Sequence, residues 1–517
     1  MNIHNTQVTT LVLTLLLFTA CASSTAPPDP TGQPDTNGIA DDTGVPVDST
    51  THEPPANPKE VRAGVAERDV TPEFEPYEDL NGNQRWDEGE PFDDLNDNGV
   101  IDTLYLGGFT VRQPTGVADP LSTRALALEL GDELFVWASI DIFGLSLERS
   151  DTIKARVLEG VDPDLGLTAE RIIIASTHTH HAPDTLGNFG PDGTVGAWDG
   201  DYLDLVVERT TESILAALDS LAPAELLVAS GEAGEGFVRD IDPPEIIDPY
   251  VGIIQLRALD GGHTIATAVS IANHPEAIWK DNTLISADYP GFLRLALEEH
   301  YGGKALFFAG ALGLMQTPAE IGEAGFERAE LLGNAYADVI IEALDGVAPI
   351  PLSEMTVAFA HGRFPVPLEN IELLAGVQLD VIEGYGESLY RTQEQPCSLM
   401  GCIDLPIKVL RIGEHLTLIT FPGEVTPELI IGGIVSPPGY QGEYADAEPE
   451  PIVVDSLETR ERFIINLANA QVGYLFPKRT YDPPRHFSQR HGPGPNAAGA
   501  VMAAVTTLMG EVNAVFD

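Results

Sequence analysis

Three short stretches of this 517-residue chain put metal- or proton-handling side chains where apolar runs stop. Residues 175–184 read ASTHTHHAPD, so His178, His180 and His181, a quarter of the twelve histidines, fall within four positions. NHPE at 273–276 brings His274, and PGE at 422–424 brings Glu424. Side chains two apart on an extended chain face the same way, so His178 and His180 could serve one ligand, with His181 turned aside as a bystander. Two imidazoles and a carboxylate from separate strands are the ligand set of a catalytic zinc with an open position. The same imidazoles could instead move protons, since histidine titrates near neutrality. Taken singly, a His-Pro or a Glu after Pro-Gly is more often structural.

A second group of oxygen donors repeats with a period of fifteen residues. EPYEDLNGNQRWDEG at 75–89 is followed by EPFDDLNDNGVIDTL at 90–104. Asp79, Asn81, Asn83, Asp87 and Glu90 stand at positions 1, 3, 5, 9 and 12 of an EF-hand-type loop, with the Arg85 carbonyl at 7. Asp94, Asn96, Asn98 and Asp102 repeat positions 1, 3, 5 and 9, with the Val100 carbonyl at 7. Alternating short oxygen donors on a tight loop can wrap a hard cation that takes six to eight oxygens, so one or two structural Ca²⁺ ions are expected. Position 6 of the first copy is Gln84 rather than Gly, and position 12 of the second is Tyr105. Pro76 and Pro91 argue against the flanking helices of a true EF-hand pair.

These residues must be positioned by strands and helices that the pattern makes visible. LFVWASI (134–140), RIIIAST (171–177), TIATAVSIA (264–272), ALFFAGA (305–311) and LTLITF (416–421) read as buried strands. YLDLVVERTTESILAAL (202–218) aligns Leu203, Val207, Ile214 and Leu218 on one helical stripe. Segments 291–300, 326–344 and 494–515 also read as helices. Strands alternating with helices predict an α/β layered domain, and the strand ends are where its site should assemble. No Gly-rich nucleotide fingerprint follows a strand.

The balance of 80 Asp and Glu against 27 Lys and Arg, a formal charge of −53, repels phosphate backbones and excludes nucleic acid as a partner. Most of these carboxylates are expected to be solvated surface. LVLTLLLFTA at 11–20 is too short to span a bilayer comfortably and ends at Ala20-Cys21. It is similar to a bacterial lipoprotein signal (residues 1–21), in which Cys21 would become the lipidated first residue. Residues 22–60, rich in Pro, Thr, Asp and Ser, read as a disordered tether. Export to a membrane, at the periplasmic face or the cell surface, or else secretion, follows. In that compartment Cys397 and Cys402, in PCSLMGC, are expected to form a small disulfide loop.

The order of the elements resembles the neutral, non-lysosomal ceramidase family. AGVAERDVTP (63–72) resembles its opening strand, and STHTHHAPD its Thr-His-Thr-His-Ser-Gly-Pro loop. ANHPEAIWKDNTLISADYPG (272–291) is similar to its His-Pro segment and the turn that follows. TFPGEVT (420–426) is similar to its Pro-Gly-Glu-Phe-Thr, and NLANAQVGYL (466–475) to its Asn-x-x-x-x-Tyr. The resemblance runs in order across 61–517, with 75–104 as an acidic insertion. It implies a layered β-sheet core with flanking helices in a single large catalytic domain. The chain stops after its last helix, before the family's C-terminal immunoglobulin-like domain. It also implies a zinc-dependent amidase acting on an N-acyl sphingosine-like lipid, with one zinc held by His178, His274, Glu424 and Tyr474. His180 would face the substrate amide, and Arg239 in GFVRDIDPP would lie near the scissile carbonyl. GLMQTP (313–318) stands where the family has Gly-Asp-Val-Ser-Pro, which leaves Thr317 in place of the serine. YDPPRHFSQRHGPG, at the place of a substrate-holding Tyr-Glu segment, offers Tyr481 and His486. No protein partner is implied. Rival readings are a degenerate member that keeps the metal as a surface binding lipoprotein, a hydrolase of another amide or an ester, and a calcium-organised adhesion module.

Overall fold

The computed structural model describes residues 57–517 apart from 192–195, 235, 242–244, 393–396, 398–400, 434–442 and 484–486. Cys21 and His486 therefore lie outside the described residues. The longer elements are β1 (Val61–Asp69), β2 (Ser122–Leu130), β3 (Glu133–Ile140), α1 (Leu147–Gly160), β4 (Ile172–Ser176), α2 (Gly200–Asp219), β5 (Ala222–Glu232) and β6 (Tyr250–Ala258). They continue with β7 (Thr264–Ile271), α3 (Tyr289–Tyr301), β8 (Lys304–Ala309), α4 (Phe326–Leu344), β9 (Val357–Pro367), β10 (Cys402–Ile412), β11 (Leu416–Thr420), β12 (Glu461–Ile465) and α5 (Ala497–Asn513).

Two sheets form the centre. One has eight strands in the order β8-β7-β6-β5-β1-β2-β3-β4, and the other carries β9-β10-β11-β12 with Leu389–Tyr390 added beside β10. Neither closes into a barrel. Side-chain alternation explains the layers. On β3, Phe135 and Trp137 point between the sheets, while Leu134, Val136, Ala138 and Ile140 point outward under α1 and α2. On β8, Leu306 and Phe308 point inward, and Phe307 and Ala309 meet α3 and α4. The second sheet contributes Leu410, Leu418 and Phe463 to the same inner core and covers its other face with α5. The result is helix, sheet, sheet, helix. Both faces of the central strands are buried, which is why they appear in the sequence as unbroken apolar runs.

Helix α2 starts where the Asp199 side chain accepts from Tyr202 N–H, a normal N-cap. Its expected stripe is buried, Leu203, Val207 and Ile214 completely and Leu218 nearly so. The helix lies so close to β1 that a Cβ on Gly64 would come within 2.2 Å of the Ala217 carbonyl. No described helix is long and apolar enough to cross a membrane. Cys397 and Cys402 are joined by a disulfide.

The strand ends that carry the histidines come from distant parts of the large sheet. From β7 to β4 there are five antiparallel steps and one parallel step, so β4 runs formally opposite to β7. A twist of about 20–25° per strand accumulates across those steps and turns the two ends toward each other. Contact across the curl is direct: Ser139 Oγ on β3 donates to the Phe307 carbonyl of β8 at 2.5 Å.

Candidate metal centre

β4 ends at Ser176, but its ladder continues irregularly. Thr177 N–H donates to Ile140 O and His178 N–H to Ile142 O, and the chain then turns with His178 at φ +69°. The alternation expected through His178, His180 and His181 therefore does not hold; a turn, not an extended strand, presents the rings. His178 and His180 nevertheless stand edge to face, with centroids 4.9 Å apart, and His274 lies 5.1 Å from His178 and 5.6 Å from His180. One ligand atom from each of the three lies within 4.8 Å of the others, so these buried histidines could hold a metal ion.

Glu424 enters the same point from the turn after β11. Its Oε2 lies 3.2 Å from His274 Nε2 and 3.7 Å from His178 Nε2. Both imidazoles are oriented from behind. His178 Nδ1 meets the Phe143 carbonyl at 2.6 Å, and His274 Nδ1 meets the Met315 carbonyl at 2.8 Å. A carbonyl only accepts, so each Nδ1 carries a proton, and Nε2 is the atom that each neutral ring would offer to a metal. His274 Nε2 and Glu424 Oε2 share a hydrogen bond at 3.2 Å, and a cation could take the place of that proton; a carbonyl behind Nδ1 is how proteins fix ligating histidines. The donor set fits a zinc-class cation. Tyr474 lies beside it: Glu424–Val425 pairs in parallel with Tyr474–Leu475, and the Tyr474 side chain hydrogen-bonds the Glu424 carboxylate. Gln471 Nε2 donates to Glu424 Oε1 at 3.0 Å.

The electrostatics follow from burial and proximity. Burial pulls the His178 imidazole down to about 4 despite the Glu424 charge. Burial lowers His274 too, but its bond to Glu424 outweighs this and holds it above its ordinary value. For Glu424, burial raises the carboxyl, and His178, His274 and Tyr474 together bring it below the usual range. His180 is held well below the ordinary imidazole value by burial and by the neighbouring His178, His274 and Arg112.

Each remaining candidate has a definite place. Thr317 is 4% exposed, and its hydroxyl has no hydrogen-bond partner. It follows Met315–Gln316, which pairs antiparallel with Arg239–Asp240. Arg239 is exposed and donates to Gln316 Oε1 at 3.1 Å. Its charge also reaches the buried Glu276 carboxyl, which burial raises to about 7. Tyr481 rests near the Tyr444 ring, centroids 6.2 Å apart. His491, which the sequence pattern did not single out, lies close enough to Glu424 to feel its charge. His181 is not idle: it is fully buried, with Nε2 3.4 Å from Asp288 Oδ2. Asp288 in turn accepts from the Ala277 and Ile278 N–H groups and so fixes the turn that carries His274.

The acidic insertion is tied to this centre. Asp79 accepts from Gly82, Asn83 and Gln84 N–H, and Asp94 from Asn98 and Gly99 N–H. Gln84 takes φ +65° where the second loop has Gly99 at +74°, so both loops make the same sharp turn. Glu90 accepts from Leu80 and Asp87 N–H; Glu75 accepts from the equivalent Leu95 and Asp102 N–H. Glu75, not residue 105, thus holds for the second loop the place that Glu90 holds for the first. The loops face each other through the Tyr77–Phe92 bridge, with no flanking helices. Their exit strap, residues 105–113, packs on the histidines. Phe109 lies edge-on to His180 at 4.8 Å, and buried Arg112 donates to the carbonyls of Gly107, His180 and Asn282.

No family model matches this sequence, and no curated protein matches it. Solved structures do. The neutral ceramidase from Pseudomonas aeruginosa superposes with a TM-score of 0.61 at 17% identity, covering 87% of this chain and 74% of that one. A ceramidase structure described as complexed with C2 gives 0.62 at 16% identity, covering 87% and 75%. Despite that low identity, the layered sheets and their connections make this a neutral ceramidase-like fold.

Proposed function

We propose that the chain is a zinc-dependent hydrolase that cleaves the amide bond of a ceramide-like, N-acyl lipid. The observation that carries this is the convergence of His178 Nε2, His274 Nε2 and Glu424 Oε2, with both Nδ1 atoms tied to carbonyls. Tyr474 is the fourth ligand in this reading. When bound, such a cation polarises an amide carbonyl and lowers the pKa of water. His180 has two ring nitrogens without partners, so it can take a proton from the attacking water and pass it to the leaving amine. The Thr317 hydroxyl is free to orient the nucleophile, and Arg239 answers the charge that develops on the carbonyl oxygen.

The reading extends to the rest of the chain. The paired loops hold one or two Ca²⁺ ions as structural ions, with Glu75 and Glu90 as corresponding carboxylates. Cys21 anchors the exported chain to a membrane through residues 22–60, and 61–517 is one hydrolase domain. The test is hydrolysis of an N-acyl sphingosine with a fluorescent acyl chain. Released fatty acid, abolished by chelation and restored by zinc, is the expected result. Bound metal with no turnover of any acyl amide or ester would select the binding-protein reading instead. Turnover of esters alone would move the substrate class.

A further inference from the structure

His180 and Glu276 form a pair beside the His178, His274 and Glu424 cluster. Glu276 is 2% exposed, and its Oε1 has no hydrogen-bond partner. Neither ring nitrogen of His180 has one. Three buried polar atoms without partners, on two adjoining side chains, are costly unless they serve each other or a ligand. His180 Nδ1 and Glu276 Oε2 are 3.6 Å apart. That exceeds a hydrogen bond, but a movement of about half an ångström closes it. Catalytic bonds are commonly long before substrate binds.

The backbones leave these side chains facing. His180 N–H donates to the Pro275 carbonyl, and Arg112 holds the His180 carbonyl at 2.7 Å. Glu276 N–H donates back to His274 O, and Asp288 fixes the next two N–H groups. The imidazole is also flanked by the Phe109 and Phe143 rings, which offer it no acceptor, and by the His178 and His274 rings, whose Nε2 atoms turn toward Glu424. Among the described residues Glu276 is the carboxylate that comes within 4 Å of His180.

The geometry points to Glu276 as the positioning residue of His180: its carboxylate accepts a hydrogen bond from Nδ1–H and so leaves the Nε2 lone pair free toward the substrate. This rests on the proposed role of His180, but it concerns a tautomer, which can be read without substrate. In the metal-loaded protein labelled with ¹⁵N-histidine, His180, assigned with a His180→Asn variant, is expected as the Nδ1–H tautomer. Glu276→Ala should shift it to Nε2–H or a mixture, and Glu276→Gln, whose amide oxygen still accepts, should restore Nδ1–H. Where hydrolysis is measured, Glu276→Ala should lower kcat about 10- to 100-fold, the cost typical of losing such an outer partner, with metal content and KM little changed. An Nε2–H tautomer in the unaltered protein, or Nδ1–H persisting in Glu276→Ala, overturns the inference. Should Glu276→Ala fail to fold, the unaltered protein and Glu276→Gln still decide it. Absence of hydrolysis alone would count against the proposed function and leave this tautomer result standing.

Discussion

At the scale of residues, the centre depends on small groups as much as on ligands. Gly108 packs against the His180 ring at φ +73°, where a Cβ would lie 2.4 Å from His180 Cγ. Gly108→Ala must therefore push the imidazole aside. Its kcat is expected to fall on the order of 100-fold, the penalty for roughly an ångström of misplacement, while metal content stays unchanged. Unaltered kcat would show that His180 is not in the reaction path. That histidine and carboxylate would gather was legible in the sequence because they stood directly after apolar runs. Gly108, Arg112 and Glu276 were not. Their importance comes from which side chain they face, and that depends on how the strap at 105–113 crosses the histidine loop. Glu276 did leave a trace, as a carboxylate two residues past the His-Pro histidine.

Among the elements, the turn of the large sheet is locked by a buried ion pair. Asp141, just past β3, receives both Arg294 NH groups from α3 at 2.8 Å, and both residues are almost fully buried. Burial raises the Asp141 carboxyl, but Arg294 outweighs it and holds it below the usual range. A depressed carboxyl stabilises the fold fully above its unfolded value and loses that effect as pH falls through the folded value. Acid titration followed by circular dichroism should thus show an Asp141-dependent loss beginning below about pH 4. Asp141→Asn should cost about 3–5 kcal/mol near neutral pH, because it strands a buried cation; a cost near zero would contradict the lock. Strands buried on both faces were readable as apolar runs. β9, at the edge of its sheet, was not, because exposed His361, Arg363 and the Pro365 ring interrupt its pattern.

For the whole molecule, a net charge of −53 makes cations natural partners of the fold. Calcium held in the paired loops should raise the melting temperature by a few degrees, since a ion bound only to the folded chain stabilises it. EGTA should remove that increment, calcium but not zinc should restore it, and Glu75→Gln should reduce it. Melting that ignores both chelator and calcium would remove calcium from the account. The layered α/β class was legible from the alternation of runs. That His178 and His274 would meet was expected from their places at strand ends and from the resemblance; that the twist of an eight-stranded sheet brings the β4 and β7 ends together was not, because no residue pattern carries it. The most direct measurement is elemental analysis of the purified chain beside its His178→Ala and Glu424→Gln variants. About one zinc per chain, absent from both folded variants, is the predicted result. A folded, unaltered chain that carries no zinc and takes up none on titration would contradict the metal centre.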